Sequence, residues 1–422
     1  MSFVNKRYLI KLTILLSLVV FVLLTGTAML AAELEPIKVG TIFPRSGPIA
    51  LLGEQAWHGA DIARRIVNEM GGVNGREVVF VDADAPDSQT ASTEAGRLIS
   101  QYGVKVIIGS LTSGNALAIS AVAERNGVVL WETSGISDEI TSKGYKYLFR
   151  TCDKGSNRGK AAMHLVAEVV APRLGIPLNV IKVAVANEDS SYGEAQIDAL
   201  LKEAEKLGIN VVIHERYSSS TIDLTAMIFR LKEKEPDVIF AVSYVNDAIL
   251  FWNQAQQYSL NFKAFIGGGG GWSDPQFGKV QGRAANGIFD IDMPSNIDIN
   301  KYKMDSTRQL AKKFRSMYLK ESGENEVPLS AEVVFTGTYI LLNDVLPKAG
   351  PSYDADGIVE AAKTLDIKET IMGWTVHFDE TNQNEGATPV TYQWQDGKTV
   401  IVWPFQWAEK EIENIPLPIF LK

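Results

Sequence analysis

Across 422 residues the chain has a single cysteine, Cys152, and only four histidines. One cysteine forbids an intramolecular disulfide even in an oxidising compartment, so stability rests on cores of ordinary size. Cys152 reads as a buried thiol. His58, His164, His214 and His377 are far apart, and none has a second ligand at metal spacing. There is no P-loop lysine motif, no G-x-S-x-G elbow and no H-E-x-x-H pair. Gly267 to Gly271 is not a dinucleotide loop, because Trp272 stands where the third glycine of G-x-G-x-x-G would fall. An enzyme, a cofactor and a bound metal are therefore not expected. Positive charge is also short, with 41 Lys and Arg against 50 Asp and Glu. That excludes nucleic acid, whose recognition needs clustered positive surface.

What the sequence does have begins with Lys6, Arg7 and Lys11, a run of apolar residues to Leu24, and small residues at Gly26, Ala28, Ala31 and Ala32. This is the layout of a signal peptide over residues 1–32, with retention as an anchor the alternative. Its removal takes the net charge from −9 to −12. No cysteine follows the apolar run, so a lipid-modified N-terminus is not expected. The remaining chain, roughly 390 residues, exceeds the usual size of one core, so two domains are the expectation.

Short β-branched runs then alternate with segments of helical period, the pattern of βα units around a parallel sheet. Strands are expected at Val39 to Phe43, Glu77 to Asp82, Val104 to Ile108, Val128 to Trp131 and Tyr147 to Arg150. The rhythm repeats from Arg158 to Ile266, and a strand follows at Gly287 to Ile291. The ending turns strand-like at Thr375 to Phe378, Val390 to Trp394 and Val400 to Trp403, with Asp396-Gly397 as a hairpin turn. Asp82, Asp84 and Asp87 read as an acidic loop rather than a metal cluster.

The segment Ile37 to Ala63 places Gly40, Pro44, Ser46, Gly47, Ala50 and Gly53 in the order G-x-x-x-P-x-S-G-x-x-A-x-x-G. It resembles the opening of branched-chain-amino-acid-type solute-binding proteins of ABC importers, and later segments are similar to the same family in order. The resemblance implies an α/β fold of the type I periplasmic binding kind, two doubly wound parallel-sheet lobes joined by a three-crossover hinge. Lobe 1 would comprise residues 33–151 and 289–378, and lobe 2 residues 152–288 and 379–422. It also implies an exported, periplasmic monomer that closes on a small amino acid or related carboxylate or amide and delivers it to ABC permease subunits. A ligand sensor for a kinase or chemoreceptor is the alternative on the same fold.

Binding of this kind uses small polar groups at strand ends and helix N-termini. Thr112 and Ser113 open a helix, with Ser113 placed as its N-cap. That serine is either a structural cap or a carboxylate ligand. The resemblance favours the latter and adds Gly135 and Ser137 from the following turn, where Ile136 replaces the family's threonine. Glu132 is a ligand acceptor or a hinge residue. Tyr192 and Tyr244 are strand-end aromatics of the second lobe, with core packing the other reading for Tyr192, and Phe43 and Trp57 are weaker candidates in the first. Where the family carries an acid for the ligand's ammonium, this chain has Gly269 and Gly270. Either Asp153 supplies that charge, or the ligand has no α-ammonium.

Overall fold

The computed structural model describes residues 34–405 and 407–417, so the leader expected over residues 1–32 lies outside the described residues. Two sheets organise the chain. The first contains β1 (Ile37–Phe43), β2 (Val78–Asp84), β3 (Val106–Gly109), β4 (Val129–Glu132) and β5 (Leu148–Arg150), all parallel, in the order β2-β1-β3-β4-β5. The second contains β6 (Lys182–Glu188), β7 (Asn210–Tyr217), β8 (Val238–Ser243), β9 (Ala264–Gly270), β10 (Phe289–Asp292), β11 (Val390–Gln395) and β12 (Lys398–Trp403). Its order is β12-β11-β10-β9-β8-β6-β7, parallel from β7 to β10 and antiparallel through the final hairpin.

Helices on both faces explain why β3 and β8 are buried along their whole length and read as unbroken apolar runs. Helix Ala50–Glu69 turns the stripe Ala56, Ala60, Ala63 and Val67 inward. Helix Ser88–Tyr102 starts at Asp87, whose carboxylate accepts the Thr90 amide at 2.8 Å. Asp82 and Asp84 accept donors from Trp57 and Arg45, so all three acids of that loop serve the fold. The stretch Leu329–Lys348 is long and apolar enough to cross a bilayer, yet 78% of its most apolar window is buried here. It is a core element.

The chain crosses between lobes at Thr151 to Lys154, after Asp292, and between Asn384 and Val390. Pairing in the second sheet and at the edge of the first extends past residues 288 and 378. Residues 289–292 belong to the second lobe because β10 continues its ladder beside β9. Residues 379–384 stay at the edge of the first sheet, where Gln383 pairs with Arg150. The strand expected at Thr375 to Phe378 is not formed. The segment makes only isolated antiparallel bridges, Val376 with Ile367 and Phe378 with Asn384, and the His377 amide donates to the Asn384 side chain. Gly267 to Gly270 extend β9 beyond Ile266, where the βα rhythm was expected to end.

Helix Leu329–Ile340 lies against helix Ala50–Glu69 so closely that a Cβ at Gly59 would sit 2.1 Å from the Ala331 carbonyl oxygen. Gly59→Ala should therefore force the helices apart and cost about 1–3 kcal/mol in chemical denaturation. An unchanged midpoint would show that the contact yields freely.

Candidate ligand-binding cleft

In open α/β sheets, ligands bind beyond the carboxyl ends of the strands, near the point where strand order reverses. Both sheets direct those ends toward one cleft between the lobes. Lobe 1 lines it with Leu52 after β1, Leu111 after β3, Ser134 and Ile136 after β4, and Leu329 and Val333 from the core helix. Lobe 2 contributes Tyr192 after β6, Tyr244 after β8, Ser273 after β9, and Asp292 at the end of β10, together with Arg158. The centres of water-sized groups have about 60 Å³ there.

The strongest electrostatic feature is Arg158, which is 1% exposed. Its Nε and Nη2 donate to the two oxygens of Asp153, both at 3.0 Å, a fork-to-fork pair. Its Nη1 reaches Asp292 at 2.6 Å. Five guanidinium N–H groups less these three leave two for other partners. Asp292 also accepts the amides of Gly270 at 3.0 Å and Met293 at 2.8 Å. One cation between two carboxylates leaves negative charge in surplus. Burial and then the neighbouring Asp292 push Asp290, on the same face of β10, up to about 7. Burial likewise raises Asp292, opposed by Arg158.

This cluster accounts for the glycines. Gly269 has φ +83°, and a Cβ there would lie 2.2 Å from Arg158 Nη1 and 2.8 Å from Asp292 Oδ2. The space above the strand is filled from elsewhere in the lobe, by a cation and its acid. Asp153 is thus corrected as the counter-charge facing the cleft. It is fully buried behind Arg158, and the acids that line the cleft are Asp274 and Asp292.

Of the residues assigned from sequence, Tyr192, Tyr244 and Gly270 line the cleft. The two tyrosine rings stack at 5.1 Å with an interplanar angle of 27°, and the Tyr192 hydroxyl donates to the Gly268 carbonyl at 3.0 Å. The turns of lobe 1 are otherwise engaged. Thr112, not Ser113, is the N-cap and accepts the Asn115 amide. Ser113 is buried, and its hydroxyl accepts the Ser137 amide at 3.0 Å. The amide of Gly135 donates to Glu132 at 2.7 Å, as do those of Ser134 at 2.9 Å and Thr133 at 3.1 Å. A nest of amides suited to an anion thus holds the chain's own carboxylate, which Ser110 also reaches at 2.9 Å. Phe43 is core, and Trp57 lies under Arg45.

Sequence reasoning missed Arg158, Asp292 and Ser134. The last is 7% exposed, lines the cleft, and its hydroxyl has no hydrogen-bond partner. Signals for the other two existed. Arg158 shares the buried face of its helix with Gly155, Gly159 and Ala162, and an arginine on such a face requires carboxylates. In β10, Phe-Asp-Ile-Asp, strand alternation puts both acids on one side.

Asp247, another acid of the second lobe, sits behind Tyr217, whose hydroxyl donates to it at 2.8 Å, and burial pushes it up to about 8. A carboxyl raised in the folded state confers stability that is complete below its unfolded value near 4 and lost as pH rises through about 8. The melting temperature of the native chain should fall between pH 5 and 8.5, and Asp247→Asn should remove part of that fall, a few degrees. Parallel profiles for the two proteins would contradict the assignment.

The sequence matches the periplasmic binding protein family over residues 36–398. Among curated relatives, a Leu/Ile/Val-binding protein homolog 8 of Brucella suis biovar 1 is 37% identical over 388 residues, 91% of this chain and 94% of that one. A homolog 7 from the same strain is 34% identical, covering 94% and 98%. Among solved structures, the branched-chain amino acid substrate-binding protein LivJ of Streptococcus pneumoniae, in complex with isoleucine, superposes with a TM-score of 0.72. It is 26% identical and covers 86% of this chain and 97% of its own. A Rhodopseudomonas palustris solute-binding protein in complex with 4-hydroxybenzoate shares the fold at a TM-score of 0.72 and 23% identity, covering 90% and 96%.

Proposed function

This chain belongs to the periplasmic binding protein family, and we propose that it captures an aliphatic L-amino acid outside the cytoplasm for an ABC importer. Its own contribution is binding by hinge closure, with no chemical step, as a monomer that hands the ligand to the permease. The observation that carries the ligand class is the pairing of Asp292 and Arg158 in a cleft whose apolar wall is built from leucine, isoleucine, valine, methionine and tyrosine, with Asp274 and the hydroxyls of Ser134, Ser273 and Ser330 as its other polar groups. A zwitterion meets both signs there. Its ammonium approaches Asp292, which lies where negative charge is in surplus, and its carboxylate takes the two remaining guanidinium N–H groups. A branched hydrocarbon tail fits the apolar wall. The curated relatives carry Leu/Ile/Val-binding names, which supports the same class.

Closure follows from contacts to both lobes, because a ligand shifts a hinge only by its differential affinity for the closed state. The rim already has direct contacts in this conformation. Asn246 of lobe 2 donates to the Pro48 carbonyl of lobe 1 at 3.0 Å. Asp274 interacts with Gln55, which accepts the Ser330 hydroxyl at 2.6 Å.

The test is a thermal-shift panel of leucine, isoleucine, valine, aspartate and benzoate. A ligand at about 100 times its Kd adds roughly 2.7 kcal/mol of stability, so the three aliphatic amino acids should raise the melting temperature by a few degrees and aspartate should not. Asp292→Asn should lower leucine affinity at least about tenfold, the lower end of losing a hydrogen bond to a charged group. Stabilisation by benzoate alone would sink the amino-acid reading.

A further inference from the structure

We infer that lobe 1 carries a second small-molecule site, separate from the cleft, in a cavity that takes an organic amine with an apolar body. The cavity lies between helix Asp305–Ser322, the later turns of helix Leu329–Ile340 and the loop at residues 367–371. The centres of water-sized groups have about 200 Å³ there, against about 60 Å³ in the cleft. Among the described residues none lines both.

The wall is apolar and partly aromatic. Leu310, Ile340 and Ile371 join Phe335 and Tyr339, whose rings stack at 5.9 Å with an interplanar angle of 18°. A pocket of this kind holds a hydrocarbon body and draws its selectivity from a few placed polar groups. Here those groups are short of partners. Thr370 is 7% exposed and lines the cavity, and its hydroxyl has no hydrogen-bond partner, a costly state for a buried polar group. Asp344 reaches the cavity from the π-turn Leu341–Val345, into which the core helix widens. Among the described residues its carboxylate has one hydrogen-bond donor, the Asn343 side chain at 3.2 Å, and no cation within ion-pair distance. Burial raises its pKa, opposed by Asn343 and then by Lys348. Glu369 adds a second carboxylate, which accepts the amides of Lys303 and Met304, both at 2.8 Å. The class of occupant follows from these groups. A carboxylate would lie beside two acids, and a plain hydrocarbon would leave the Thr370 hydroxyl unpaired. A primary ammonium matches the acids in charge and brings three N–H groups, enough for a carboxylate and the Thr370 oxygen together.

Calorimetry with benzylamine, benzyl alcohol and benzoate tests the site on the unmodified protein and on Asp344→Asn, Thr370→Val and, in the cleft, Asp292→Asn. Benzylamine should bind, and more tightly than either of the other two. Asp344→Asn should weaken it at least about tenfold, the lower end of losing a hydrogen bond to a charged group, and Thr370→Val about threefold, the loss of an ordinary one. Asp292→Asn should leave benzylamine affinity unchanged, and Asp344→Asn should leave leucine affinity unchanged. Benzyl alcohol or benzoate binding as tightly as the amine would overturn the proposal. So would absence of heat from benzylamine, or an amine affinity that falls with Asp292→Asn and not with Asp344→Asn, which would put the amine in the cleft. None of these outcomes bears on whether leucine binds between the lobes. Should Asp344→Asn fail to fold, Thr370→Val, on a separate loop, decides against the same cleft control.

Discussion

A fully buried guanidinium is the constraint around which the second lobe is arranged. Arg158 lies on the inward face of its helix, and removing such a charge from water costs several kcal/mol unless partners replace the solvent. Asp153 supplies a pair of acceptors from the crossover that leads into the same helix, and Asp292 supplies a single one from the far end of β10. The two acids belong to different crossings between the lobes. The hinge and the binding surface therefore share one ion cluster. Breaking the pair by removing Asp153 leaves a buried cation with half its partners, a change of about 3–5 kcal/mol in comparable cases. Asp292 differs because it also faces the cleft, where a ligand group can join its existing donors.

The same economy of space explains the glycines of β9. A side chain at Gly269 would collide with Arg158, and one at Gly270 would meet the Tyr192 hydroxyl at 2.7 Å. The strand end is kept bare so that groups from other elements can occupy the surface above it. In the first lobe the comparable exchange is Glu132, an internal anion held by three consecutive amides and a serine hydroxyl. Burial raises its pKa, against the pull of those donors.

Much of the fold was legible because its signals are local. Strand runs and helical stripes place most elements to within a few residues, and the Asp396-Gly397 hairpin forms between β11 and β12 as its turn chemistry directs. Tyr192 and Tyr244 could be placed at the cleft because each follows a strand at its carboxyl end. The ion cluster was not legible in the same way. Asp153 and Asp292 compete for one arginine across a long stretch of sequence, and nothing local to Asp153 tells that its carboxylate turns inward. Ser113 was misplaced for a smaller reason. Thr112 is equally able to cap a helix, and the choice between adjacent hydroxyls depends on where Ser137 lies.

The central claim is that the ligand's ammonium is held by Asp292 beside Arg158. A crystal structure of the protein grown with L-leucine tests this most directly. The account predicts the ligand nitrogen within about 3 Å of an Asp292 oxygen and the carboxylate on Arg158. A leucine whose carboxylate sits on the Ser113 turn, with its tail between the two tyrosines and no contact to Asp292, would contradict it.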